Sequence, residues 1–116
     1  MAPDAQREGL GPDEQVVELV AQRIVAAFRP LRVIQFGSRA RGEVGRWSDV
    51  HLLVALPGAA DKRRAAVEML RAVGDLPIAT DIVVSRPQEL ARRGQIKGSV
   101  LRAALHEGKV VYESAR

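Results

Sequence analysis

Leu31-Arg32-Val33-Ile34-Gln35-Phe36-Gly37-Ser38-Arg39-Ala40-Arg41-Gly42 is followed, after a short interval, by Ser48-Asp49-Val50-His51-Leu52-Leu53-Val54-Ala55-Leu56. These two blocks decide the fold. Each is an apolar run of strand length, and the first breaks at Gly37-Ser38. A strand that opens into Gly-Ser brings backbone N–H groups where a phosphate can lie against them. Side chains alternate along a strand, so Asp49 and His51 point to one face. A phosphate loop and a candidate metal pair therefore stand within one β-turn-β reach. Nucleotide plus metal is the first reading. His51 sits awkwardly in it, because Mg²⁺ prefers carboxylate oxygen there.

With 116 residues the chain is read as one domain, and zero Cys excludes disulfides and thiolate metal sites. Aromatic residues are only 3% of the chain while apolar residues are 47%, so the core must be aliphatic. No apolar run reaches the roughly eighteen residues of a membrane span, and Met1 to Glu8 has no apolar signal core. The expectation is a cytoplasmic protein. The net charge is +4, and 15 of the 18 basic residues are Arg. Arginine forks suit phosphate, which admits a nucleotide or nucleic-acid partner. The Arg residues are scattered and stacking aromatics are scarce, so nucleic acid ranks last.

Outward from the two blocks, residues 1–11 read as a flexible tail and 12–116 as one domain. Pro12-Asp13-Glu14 opens a helix whose inward stripe is Val17, Val20, Ala21, Ile24 and Phe28, and Pro30 ends it. Strands are expected at Leu31–Phe36 and Val50–Leu56, with a short helical turn over 38–42 and a loop from Gly42 to Trp47. In the second strand Val50, Leu52, Val54 and Leu56 share one face, and Asp49, His51, Leu53 and Ala55 the other. Asp61 is expected to cap a helix through Val73, with Val67, Leu70 and Val73 inward and Gly74 as its C-terminal cap. Ile78 to Val84 reads as a third strand. Ser85-Arg86-Pro87-Gln88 opens a short helix. Ser99 caps a last helix that buries Val100, Leu101, Ala104 and Leu105 and stops at Gly108. Val110 to Tyr112 completes the set as an edge strand. Strands alternating with helices give a small α/β or α+β two-layer domain.

Gly37 and Ser38 are the phosphate-loop candidates, and Arg39 and Arg41 can grip a phosphate in bidentate fashion. Asp49 is a hard oxygen ligand at a strand entrance. Asp81 interrupts an apolar run, where an unpaired carboxylate is costly. With its strand beside the second and the faces matched, it joins Asp49 and His51. The imidazole suits Mn²⁺ or Zn²⁺ better than Mg²⁺. Trp47 is able to stack on a base, while His106 and Tyr112 read as structural.

Taken together, Gly37-Ser38-Arg39-Ala40-Arg41-Gly42, Ser48-Asp49-Val50-His51-Leu52-Leu53-Val54 and Thr80-Asp81-Ile82-Val83 resemble the DNA polymerase β-like nucleotidyltransferase superfamily, and within it the minimal nucleotidyltransferases. The resemblance spans about residues 13–112. It implies a mixed β-sheet with helices on one side. It implies transfer of a nucleoside monophosphate, AMP by the family's leaning, from a nucleoside triphosphate to a hydroxyl, aided by two Mg²⁺ or Mn²⁺ ions. Gly37 and Ser38, with Arg39 and Arg41, would bind ATP. Asp49 and Asp81 would be catalytic, and Asp49, His51 and Asp81 would hold metal. The partner implied is a small all-α protein of the HEPN kind, in a toxin–antitoxin pair; a second copy of the chain is the other candidate. His51 departs from the pattern, which has a second Asp there, and an imidazole offers no anionic bridge. Two readings follow: a nucleotidyltransferase that works with a transition metal, or a retained fold that acts as a binding-only antitoxin.

Overall fold

The computed structural model describes residues 12–37 and 49–114. Helix α1 spans Pro12–Phe28 and buries Val17, Val20, Ala21 and Ile24, the stripe that its three-and-four spacing requires. Arg29 leaves the helix through the left-handed region at φ 52°, and Pro30 follows, with no N–H to prolong the ladder. Strand β1 (Arg32–Phe36) pairs antiparallel with β2 (Val50–Ala55), Arg32 opposite Ala55 and Phe36 opposite His51. Helix α2 (Lys62–Ala72) starts at Asp61, whose carboxylate accepts the Arg64 N–H at 3.0 Å.

A helix between two strands permits the long crossover that parallel pairing needs. Strand β3 (Thr80–Ser85) accordingly lies parallel to β2, with His51 beside Asp81. Helices α3 (Pro87–Arg93) and α4 (Val100–Glu107) follow, and β4 (Lys109–Glu113) returns antiparallel to the open side of β1. The strand order is β3-β2-β1-β4, a mixed sheet in which β1 alone runs against the rest. Pairing steps from Val33–Tyr112 to Ile34–Val110, so Val111 is an extra residue on β4. Such a bulge twists an edge strand and discourages further pairing.

The mixed α/β class expected from the sequence holds, but helices cover both faces of the sheet. On one face α1 and α2 pack Val20, Ile24, Met69 and Val73 against Val33, Val50, Leu52, Val54, Ile82 and Val84. On the other, Leu90 of α3 and Ala104 of α4 cover Ile34, Leu53 and Ala55, with Phe36, Val83 and Leu101 packed beside them. The one-sided two-layer arrangement is thus corrected to three layers. The cause lies in β2: Leu52, Leu53 and Val54 are all 0% exposed, so neither of its faces can be left to water.

A polar clasp joins the layers at the far end of β2 and β3. Lys62 Nζ donates to both carboxylate oxygens of Glu89, at 3.0 and 2.9 Å, and Arg86 Nε donates to the Ala59 carbonyl at 2.8 Å. The start of α2 is thereby pinned to the start of α3. The Lys62 hydrogen bonds hold the Glu89 carboxyl below its ordinary value, burial pushes the other way, and the Arg86 N–H assists the lowering. On the opposite helical layer, Arg23 of α1 bridges to Asp75 and to the Ala72 carbonyl, fixing the turn that leaves α2.

Several local expectations shift. Ser85 ends β3 rather than capping α3; the N-cap is Arg86, whose backbone N–H donates to Glu89 three residues on. Val73, not Gly74, is the C-cap of α2. Val67 is 43% exposed and Val100 53%, because each lies on the outer side of its helix while Met69 and Ala104 take the inner positions. Leu105 also remains 36% exposed. The expected tail at 1–11, the turn at 38–42 and the loop to Trp47 lie outside the described residues.

Candidate active site

The strand directions create the site. Because β1 runs against β2 and β3, its C-terminal end meets their N-terminal ends. Phe36 and Gly37 finish β1 where His51 and Asp81 begin their strands. The alternation that buries Leu53, Ala55 and Ile34 on the second face places His51 and Asp81 on that same face, one step towards the open end.

His51 Nδ1 lies 3.5 Å from Asp81 Oδ2, with side-chain exposures of 34% and 63%. The pairing that matched faces predicted for positions 51 and 81 is therefore present. Asp81 escapes the cost of burial differently from the expectation: its run is apolar, but its side chain projects beyond the packed part of the face. The Phe36 ring, directly opposite in register, sits 5.6 Å from the imidazole, tilted by 43°. Phe36 was not among the sequence-based candidates, and only the cross-strand register reveals it.

Gly37 is bound to His51 by shape. Its φ is +87°, a conformation that L side chains rarely adopt, and a Cβ there would stand 2.9 Å from His51 Cδ2. The imidazole thus rests against the backbone where β1 opens into the phosphate-loop candidate. A Gly at 37 is required twice, by its dihedral and by this close approach.

Asp49 is exposed and precedes β2 by one residue, anchored by the Val50 N–H bond to the Ala79 carbonyl at 2.9 Å. Ser38, Arg39 and Arg41 lie outside the described residues, so of the phosphate-loop candidates only Gly37 has a place here. Among the described residues no three His, Asp or Glu side chains group as a ready metal site. By donor chemistry, Asp49, His51 and Asp81 offer two carboxylates and one imidazole. Of these the structure brings only His51 and Asp81 together as a pair; the imidazole favours Mn²⁺ or Zn²⁺ over Mg²⁺ and offers no anionic bridge for two Mg²⁺ ions. His106 is exposed at the end of α4, and Tyr112 is half-buried against the first core.

Among the described residues no helix is long and apolar enough to cross a membrane. The sequence profile of the nucleotidyltransferase domain matches residues 14–110, which include both strand blocks and Asp81. No curated protein matches the chain. Two solved structures share its fold. One, from Sulfolobus solfataricus and assigned to the nucleotidyltransferases, is 20% identical with a TM-score of 0.59, covering 85% of this chain and 78% of that one. The other is a toxin–antitoxin structure solved with AMP-PNP, 18% identical with a TM-score of 0.53, covering 84% of this chain and 74% of that one. The reversed strand that carries Gly37 to His51 and Asp81, and a profile that spans nearly the whole chain, lead to one assignment: the chain belongs to the nucleotidyltransferase domain family.

Proposed function

We propose that the chain transfers a nucleoside monophosphate, AMP by the family's leaning, from a nucleoside triphosphate to a hydroxyl on a partner protein. The partner we assign is a small all-α protein of the HEPN kind, with this chain as the antitoxin half. The observation that carries the reading is the convergence of Gly37, His51 and Asp81 at one end of three adjacent strands. The toxin–antitoxin structure that shares the fold supports the choice of a protein partner.

In this reading the triphosphate lies along the turn that Gly37 opens, where N–H groups and the Arg39 and Arg41 forks hold its charge. The acceptor hydroxyl attacks the α-phosphorus as its proton passes to the Asp81 carboxylate, the bond from the α-phosphorus to the bridging oxygen breaks, and pyrophosphate leaves. Asp49, His51 and Asp81 would hold a divalent ion, which supplies charge neutralisation and alignment of the attacking and leaving oxygens.

The test is transfer from ATP labelled on the α- or γ-phosphate, with an all-α partner present and Mg²⁺ or Mn²⁺ supplied. Label passing from the α position alone supports the assignment; no modified protein under either ion removes it. His51→Asp restores the anionic bridge and is expected to raise transfer about tenfold or more. An unchanged rate would show that position 51 holds no metal.

One observation favours a second reading. The imidazole packs on Gly37, filling the space where a Cβ at that position would stand. In that reading the chain neutralises its partner by covering it, without chemistry. Asp81→Ala then leaves neutralisation intact; its loss in a variant that still folds and binds returns the argument to catalysis.

A further inference from the structure

The whole net charge of the chain resides in one helical hairpin. Between positions 86 and 109 stand Arg86, Arg92, Arg93, Lys97, Arg102 and Lys109 against Glu89 and Glu107, a net of +4, equal to the +4 of the entire sequence. The remaining residues balance to zero. Glu89 is already engaged by Lys62 and Arg86. Arg92, Arg93 and Lys97 are exposed and form no ion pair among the described residues.

Apolar side chains stand open in the same hairpin: Ile96 is 52% exposed, Val100 53% and Leu105 36%. Beneath Leu105 a groove of about 290 Å³ runs between α3, α4 and the ends of β1 and β2. Leu31, Ala55, Leu90, Ala91 and Leu105 line it, and Arg32 is its charged member. That volume accepts an anchoring Leu or Phe side chain. Arg32 is itself paired with Glu113 at 3.2 Å, so the free cations are those of the hairpin; an apolar slot on a cationic hairpin has the make-up of a protein-binding surface.

We infer that the α3–α4 hairpin is a docking surface for an acidic amphipathic helix of a partner protein, with an apolar anchor in the groove and carboxylates facing Arg92, Arg93 and Lys97. Charge complementarity selects the acidic occupant. Nucleic acid is disfavoured because residues 86–109 contain no Phe, Tyr or Trp on which a base can stack. A membrane is disfavoured because the apolar surface is a concave slot, whereas lipid presents a broad face. The hairpin sits on the side of the sheet that bears His51 and Asp81: Leu101 of α4 packs on the same small core as Phe36, which touches His51. The groove opens at the opposite end of that face, where Arg32 pairs with Ala55. Docking rests on the proposed function only for why a partner comes; the docking itself needs no nucleotide.

The experiment uses the full chain, isotope-labelled for NMR, and a helical peptide of Leu–Glu heptads, without nucleotide. Amide shifts confined to residues 86–109 and the groove are expected. The double variant Arg92→Glu/Arg93→Glu is expected to weaken binding roughly tenfold or more. Ala91→Glu, which places a carboxylate in the groove from an exposed position, should weaken it too, with circular dichroism unchanged. Equal binding of the same peptide with Lys for Glu would overturn the charge argument. Tighter binding of single-stranded RNA, or of phosphatidylserine vesicles, would reassign the surface to that partner. Shifts elsewhere, or none, would end the proposal. Labelled-ATP transfer is read separately, so loss of one result leaves the other standing.

Discussion

At the scale of single residues, position 37 is constrained twice over, by its dihedral and by its neighbour. The positive φ and the 2.9 Å approach to His51 Cδ2 act on the same atom, a Cβ that Gly lacks. Gly37→Ala is therefore expected to cost about 1–2 kcal/mol of stability in urea titration. On the proposed function it should also weaken ATP binding, because relief comes only by moving Gly37 or the imidazole. The paired variant Gly37→Ala/His51→Ala separates these causes. It removes the clash but keeps the dihedral, so partial recovery of stability is expected. The sequence marks Gly37 as special by its place at a strand end. It does not show that its neighbour is the imidazole, because that contact needs β1 and β2 paired in register.

At the scale of elements, the clasp of Lys62, Glu89 and Arg86 joins helices that are 27 residues apart in the sequence at their key contact. Nothing in the local pattern of Lys62 predicts it; the spacing is neither helical nor strand-like. Its pH dependence has a definite sign. The Glu89 carboxyl is held below its ordinary value of 4.5, so the native state binds its proton less readily than the unfolded chain. The stabilisation is fully present above that ordinary value and is lost as pH falls through the lower folded-state value. A denaturation midpoint followed from pH 7 down to about 3 should fall more steeply in the native protein than in Glu89→Gln. Parallel curves would show that the clasp contributes nothing measurable. The helix starts, by contrast, were legible: Asp61 and Ser99 cap α2 and α4 as their side chains suggest.

At the scale of the whole molecule, the second core carries the difference between a sheet covered once and a sheet covered twice. Leu52 and Leu53 are adjacent, both fully buried, and face opposite layers. In a two-layer domain Leu53→Ala would be nearly neutral. Here each of Leu52→Ala and Leu53→Ala is expected to cost about 2–5 kcal/mol, read from urea or thermal unfolding. A near-zero cost at Leu53 alone would mean that α3 and α4 contribute little to folding. The hint was in the sequence: Leu52-Leu53-Val54-Ala55 is apolar at both parities, the pattern of a strand buried on both faces. The short α3 and α4 helices, with their many cations, gave no comparable sign that they were the second cover.

The sequence by itself determined the elements, their order and the family. Hydrophobic period, capping side chains and Gly-Ser placement act over a few residues, and those interactions are written locally. It also set the parity of His51 and of Asp81, each within its own strand, since alternation is fixed there. Only the tertiary structure decided that β2 and β3 lie side by side in parallel, with those two residues in register. It alone decided that Phe36 and Gly37 close around the imidazole, and that the helices divide between two faces. Each of these depends on contacts between segments distant in the chain. Their free energy comes from burying apolar surface jointly, and no segment shows that partner by its own pattern.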